Sequence, residues 1–189
     1  MWSARSCIAA AGNSGRNAAS LDAVSRVSAQ ELEHYLHGSI PLSRAMQVTV
    51  LELTEDIALL TAPLAPNVNH RGTVFGGSAC TLATLSAWSL LYSRLQGNVP
   101  AASLVLQRNS MSYERPIAGA FSARASLAPN AVWPEFLRTL ERRGKARICV
   151  CAQLLCAGGV AGHFVGDFVA LTVAATRPGP LPAAENSHA

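Results

Sequence analysis

The chain has 189 residues, half of them apolar, and its 15 basic and 11 acidic side chains leave a formal charge of +4. That length suits one domain with a sizeable core. The basic excess is too small, and too free of interleaved aromatic residues, to argue for a nucleic-acid partner.

Cys7, Cys80, Cys149, Cys151 and Cys156 make an odd set without metal-ligand spacing. Four of them sit in apolar runs, where a thiol behaves as a small hydrophobe, so a reducing compartment and a cytoplasmic location are expected. Cys149 and Cys151 should share one face of a strand.

Residues 1–27 carry Arg5, Arg16 and Arg26 against a single acid, Asp22, and read as a poorly ordered lead in preference to a transit peptide. Residues 28–174 then hold the predicted elements. Ser28 and Glu31 have capping-box spacing, and Leu32, Tyr35 and Leu36 give one apolar face to a helix ending near Gly38. Ile40-Pro41-Leu42 reads as an extended entry to a strand in which Met46, Val48 and Val50 alternate with Gln47 and Thr49. A turn at Thr54-Glu55-Asp56 sends residues 57–62 back as the hairpin partner.

From Pro63 to Ala79 loop chemistry runs directly into a helix predicted over residues 76–95, with Leu82, Leu85, Trp88, Leu91 and Leu95 at helical spacing. The 22 residues between Arg71 and Arg94 carry no formal charge, but Gly, Ser and Thr fill nearly half of them. A buried central helix explains that composition better than a membrane span. Gly97, Asn98 and Pro100 should stop the helix. Strands are expected over residues 102–112 and 120–127, a short helix over 133–143 closed by Gly144, and strands over 146–156 and 160–173 joined at Gly158-Gly159. Residues 175–189 read as a loose tail. No internal repeat or second domain is visible.

Gly72, Gly76 and Gly77 let the main chain approach a bound group, and first-turn helix amides lack intrahelical acceptors, so this junction suits an anion or a developing oxyanion. A glycine turn needed only for helix packing is the alternative. Ser78 lacks a strand-to-helix elbow and a Ser-His-acid set, and Cys80 has apolar helical neighbours with no evident cation, so neither reads as a nucleophile. The absence of HExxH, CxxC, P-loop and dinucleotide motifs implies no metal or redox cofactor.

Asn69-His70-Arg71-Gly72-Thr73-Val74-Phe75-Gly76-Gly77, with Tyr35 to Met46 before it and Gln107, Tyr113, Pro116 and Gly144-Lys-Ala-Arg-Ile after it, resembles the putative thioesterase family typified by the YiiD carboxy-terminal domain. The resemblance implies an α+β hotdog fold, an antiparallel sheet wrapped round a long central helix. It also implies a homodimer or dimer of dimers and hydrolysis of an acyl-CoA or acyl-carrier-protein thioester, with coenzyme A entering only as part of the substrate. By that likeness Asn69 places water or substrate, and Gly76 and Gly77 supply oxyanion donors. Thr84 stands where many relatives carry Asp or Glu, and Phe75 where many carry His. Thr84 can orient water but cannot serve as a base, which leaves His70 as the nearby titratable group. Phe75, Trp88 and Tyr113 are candidates to line an acyl tunnel. Arg71, Arg108, Arg115, Arg142, Arg143, Lys145 and Arg147 are candidates for the carrier's phosphates, Arg115 and Lys145 foremost. The rival reading is a non-catalytic hotdog module that binds an acyl thioester or a protein. A dehydratase or hydratase comes third, because the helix supplies neither His nor carboxylate.

Overall fold

The computed structural model describes residues 27–99 and 101–172. In chain order these form α1 (Ala29–Ser39), α2 (Pro41–Ala45), β1 (Thr49–Leu53), β2 (Ala58–Ala62), a 3-10 turn (Ala65–Asn67), α3 (Gly76–Asn98), β3 (Ser103–Tyr113), β4 (Phe121–Leu127), α4 (Trp133–Arg143), β5 (Lys145–Cys156) and β6 (Gly159–Leu171). The six strands make one antiparallel sheet in the order β1-β2-β4-β5-β6-β3. Helix α3 packs across β2, β4 and β5 and also touches β3 and β6, so the sheet wraps it as the hotdog fold requires.

Alternation on the strands builds the core. Leu60 of β2, Ala123 and Ala125 of β4, Val150 and Leu154 of β5, and Phe164 and Phe168 of β6 are buried against Leu82, Leu90 and Leu91 of α3. Small residues on the helix let it approach the sheet closely. Buried Ser86 places its Oγ 2.8 Å from the Ala58 carbonyl and 2.9 Å from that of Ala123, holding α3 to two adjacent strands. No described helix is long and apolar enough to cross a membrane.

Several predicted boundaries move. The segment read as an extended entry at Ile40 to Leu42 instead turns into α2, because Pro41 occupies the first helical turn, where its missing N–H costs nothing. The strand read from Met46 begins only at Thr49; Met46 and Val48 are buried, but Gln47 has φ 55° and breaks the extended run. Helix α3 continues through Gly97 to Asn98, whose Nδ2 donates to the Arg94 carbonyl in the last turn. The β5–β6 turn is made by Ala157 and Gly158, both with positive φ, one residue before the glycine pair. Gly144 closes α4 in the left-handed conformation, as predicted. Cys149 and Cys151 are half-buried while Ile148, Val150 and Ala152 are buried, so the two thiols share the outer face. Of the predicted lead only Val27 is described, and residues 175–189 lie outside the described residues.

The two edges of the sheet differ. On β1 the Val50 amide donates to Glu33 Oε2 at 2.8 Å, and His37 Nε2 donates to the Val48 carbonyl at 2.8 Å. Glu33 and His37 lie one turn apart on α1, so the helix offers the strand an acceptor and a donor where a neighbouring strand would otherwise pair. Helix α1 is itself fixed by the Ser28–Glu31 capping box, in which Ser28 N–H donates to Glu31 Oε2 at 2.8 Å and Glu31 N–H to Ser28 Oγ at 3.2 Å. At the other edge, β6 is the sole strand neighbour of β3 among the described residues. Arg94 ties the far end together. It donates to the Glu55 carbonyl, lies 3.6 Å from Asp56 and stacks its guanidinium 4.5 Å from the Trp133 ring centroid.

Candidate active site

The loop before α3 is held from three sides. Asn67, 2% exposed, donates its Nδ2 to the Met46 carbonyl at 3.0 Å and to that of Pro63 at 2.8 Å. Its own carbonyl accepts from Phe75 N–H at 2.7 Å, and Val74 N–H donates to the Ile117 carbonyl at 2.8 Å. Asn69 organises the tip. Its Oδ1 accepts from the amides of Arg71 (2.8 Å) and Thr73 (3.3 Å), while its Nδ2 donates to Thr73 Oγ1 (3.0 Å) and the Val74 carbonyl (3.2 Å). Gly72, at φ 75°, supplies the left-handed residue this turn needs.

The outcome of this bracing is the start of α3. Phe75 is the N-cap in extended conformation and offers no side-chain acceptor. The Ala79 amide makes the first helical bond, to the Phe75 carbonyl at 3.0 Å. The amides of Gly76, Gly77 and Ser78 therefore have no backbone acceptor among the described residues. No acid lies on α3, so nothing on the helix opposes negative charge there.

Two aromatic rings flank these amides. Phe75 is 57% exposed and lies so close to Gly77 that a Cβ at that position would collide with the ring. Tyr113, 56% exposed at the end of β3, donates its hydroxyl to the Gly76 carbonyl at 2.8 Å. Partial burial of the ring, with a smaller push from the Cys80 thiol, raises the Tyr113 phenol above its ordinary value.

Thr84 is half-buried two turns into α3, on the stripe that also carries Cys80 and Trp88. That stripe faces β3, since Cys80 Sγ lies 3.9 Å from Asn109 Oδ1 and the Trp88 indole donates to the Leu104 carbonyl at 3.2 Å. Trp88 sits roughly 18 Å along the helix from Gly76. It stacks on Tyr92, with centroids 4.6 Å apart, and on Tyr35 at 6.0 Å. Burial, helped by Tyr35, raises the Tyr92 phenol as well. His70 is exposed at the tip of the Asn69 turn.

The structure sorts the basic candidates. Arg115 follows Tyr113 by two residues and stands at the α3 N-terminal end. Lys145 begins β5 at the opposite end of the sheet, roughly 36 Å of strand away from Cys156. Arg147 lies near it, and Arg142 and Arg143 close α4, also far from the loop. Arg108 pairs with Asp167 at 2.7 Å. Arg71 is exposed on the Asn69 turn. Among the described residues no group of three or more His, Cys, Asp or Glu side chains could hold a metal ion.

Sequence reasoning missed Asn67, the Ile117 carbonyl, Glu33 and His37. Asn67 reads as an ordinary turn residue beside Pro66, and only its burial separates it from Asn69. The Glu33–His37 spacing of one helical turn was visible, but the strand that the pair faces was not.

A model of the family described as "Putative thioesterase (yiiD_Cterm)" matches residues 29–172. Among solved structures, a protein of unknown function from Chlorobaculum tepidum is 27% identical, with a TM-score of 0.72 over 76% of this chain and 94% of that one. A putative thioesterase from Shewanella oneidensis is 29% identical, with a TM-score of 0.67 over 76% and 96%. A thioesterase from Haemophilus influenzae, 13% identical with a TM-score of 0.61 over 77% and 92%, shares the fold.

Proposed function

Starting from the putative thioesterase family of the YiiD carboxy-terminal type, to which this chain belongs, we propose that it hydrolyses an acyl thioester carried by coenzyme A or an acyl carrier protein. The observation that carries this reading is the group of unaccepted amides at Gly76, Gly77 and Ser78, held by a braced loop and flanked by Phe75 and Tyr113. A thioester carbonyl set against them would gain its hydrogen bonds as the oxygen becomes anionic. One such donor is worth about 3 kcal/mol in a rate.

In this reading Gly76 and Gly77 bind the oxyanion. Thr84, roughly 12 Å along α3 from Gly76, is an auxiliary hydrogen-bond partner, and His70 on the adjoining loop accepts the proton of the attacking water. Asn69 acts through the loop, because its amide is fully occupied there. Tyr113 and Phe75 wall the entrance, and Trp88 bounds the far end of the α3 stripe. Substrate contacts from Arg115 belong to the same scheme, whereas Lys145 is too distant to share it within one protomer.

Two copies pairing through β3 complete the proposal. That edge carries exposed Val105 (48%) and Tyr113, while Glu33 and His37 already take up the Val50 amide and the Val48 carbonyl at the β1 edge. Free thiols at Cys80 and Cys156 suit a cytoplasmic setting.

One observation favours the second reading, an acyl-thioester-binding module without turnover: α3 carries no carboxylate, and the Asn69 amide is fully engaged. Thiol release from acetyl-, hexanoyl-, palmitoyl- and benzoyl-CoA separates the two. Turnover supports the hydrolase. Measurable binding with no release from any of them supports the module.

A further inference from the structure

Beside the proposed site lies a cleft of about 450 Å³ lined by Arg115, Pro116, Ala118, Gly119, Cys156 and Ala157. It opens between the β3–β4 connection and the β5–β6 turn, and its neighbours connect it with the α3 N-terminus. Two residues before Arg115, Tyr113 bonds the Gly76 carbonyl; two residues after it, Ile117 accepts the Val74 amide. Each step spans at most about 7 Å of chain. The cleft therefore neighbours the α3 N-terminus, and a ligand arm longer than such a step can run to it from the Gly76 and Gly77 amides.

Arg115 is set for an anion. Its Nη2 donates to the Cys156 carbonyl at 3.2 Å, which fixes the guanidinium at the cleft wall and engages one of its five N–H donors. Gly159 makes room for that placement, since a Cβ there would collide with the guanidinium. The carboxylate next to it in sequence, Glu114, is engaged by His163 Nδ1 at 2.6 Å. Other cleft residues are small and uncharged, so nothing else there offers a formal charge. Arg108 is paired with Asp167, and Lys145 and Arg147 lie at the other end of the sheet.

We infer that the Arg115 cleft binds a phosphate of the thioester's carrier. The inference rests on the hydrolase reading and names the carrier chemistry for that site. A phosphopantetheine arm has its thioester at one end and a phosphodiester at the other, and coenzyme A adds the phosphates of its nucleotide. Arg115 contacts phosphate oxygens through its unengaged N–H groups, the geometry in which guanidinium surpasses ammonium.

The test compares hexanoyl-CoA, hexanoyl-pantetheine, which lacks phosphate, and hexanoyl-acyl carrier protein, using the wild type, Arg115→Met and Arg115→Lys. Coenzyme A binding by calorimetry is measured in parallel. Wild type should favour hexanoyl-CoA over hexanoyl-pantetheine about tenfold or more through KM, as expected for a charge-assisted bond. In Arg115→Met that preference should fall to about threefold or less, with Arg115→Lys between. Ala118→Glu, which sets a carboxylate in the cleft, should weaken CoA binding in the same direction and stands in if Arg115→Met misfolds. Equal losses for the CoA and carrier-protein substrates assign the shared phosphodiester; a loss confined to CoA assigns the nucleotide phosphates. An unaltered preference in Arg115→Met and Ala118→Glu overturns the cleft. Absence of turnover with every thioester, while CoA binding still depends on Arg115, overturns the hydrolase reading and leaves the cleft standing.

Discussion

Replacing Asn69 with Ala removes four hydrogen bonds made by one side chain, to the amides of Arg71 and Thr73, the Thr73 hydroxyl and the Val74 carbonyl. Each contributes about 0.5–1.5 kcal/mol net of its exchange with water. The turn is partly exposed, so water replaces some of them, and a total of about 1–3 kcal/mol follows. In a domain of this size that lowers Tm by roughly 3–10 °C. The same loss frees Val74 and Phe75 to shift, displacing the Gly76 and Gly77 amides from the carbonyl they serve in the proposed reaction. Turnover should then fall at least tenfold, equivalent to about 1.4 kcal/mol. Thermal melting by circular dichroism and thiol release from hexanoyl-CoA measure the two effects on one preparation. Asn69→Asp retains the acceptors for Arg71 and Thr73 and loses the donors, so it should fall between wild type and Asn69→Ala in both. If Asn69→Ala melted with the wild type yet lost its turnover, the side chain would be acting on the substrate directly, and the loop-bracing argument would be refuted.

Gly162→Ala sets a Cβ 2.5 Å from the Ser112 carbonyl on the neighbouring strand, where neither backbone can yield easily. Overpacking of about 1–3 kcal/mol should appear as a lower urea midpoint; an unaltered midpoint contradicts the predicted clash. Arg94→Met removes the contacts to Glu55, Asp56 and Trp133, and should destabilise by about 1–3 kcal/mol on the same assay. If two copies pair through β3 as proposed, Val105→Asp, which puts charge on that open edge, should convert the sedimenting dimer to monomer; a wild type that sediments as monomer, or a dimer that survives the substitution, would refute pairing through β3. The Ser28 hydrogen bonds hold the Glu31 pKa below its ordinary 4.5, so the cap's stabilisation is present above that value and lost as pH falls through the lowered one. Ser28→Ala should accordingly lower Tm at pH 7 and matter less in acid; an equal drop at both pH values would exclude this linkage.

Much of the fold was legible because periodicity and punctuation agreed. Leu82, Leu91 and Leu95 fall at helical spacing, Gly144 closes a helix, and the run from Lys145 to Leu154 alternates. What failed was local conflict. Pro41 can open a helix as readily as it can extend a chain, and the positive φ of Gln47 breaks an alternation that the side chains preserve. At the candidate site the glycines signalled the exposed amides, since few residue types allow that approach. Asn69 was legible as a residue of importance, but its four partners depend on how the chain turns back on itself. Asn67 was hidden for a related reason, because Met46 lies 21 residues away in sequence. The basic residues gave the weakest signal. Charge is a property of composition, and separating Arg115 from Lys145 required knowing that Arg115 packs on the Cys156 end of β5 while Lys145 begins that strand at the other.

The unlike treatment of the two sheet margins bears on how large an assembly can grow. A strand edge left bare on both sides would let each new copy present another bare edge, and growth would continue into a fibre. Here Glu33 and His37 take up the Val50 amide and the Val48 carbonyl on one side from within the chain, so the proposed pairing through β3 would use up the more open side on both copies at once. In that scheme, loss of the helix clasp would turn a self-limiting pair into a seed.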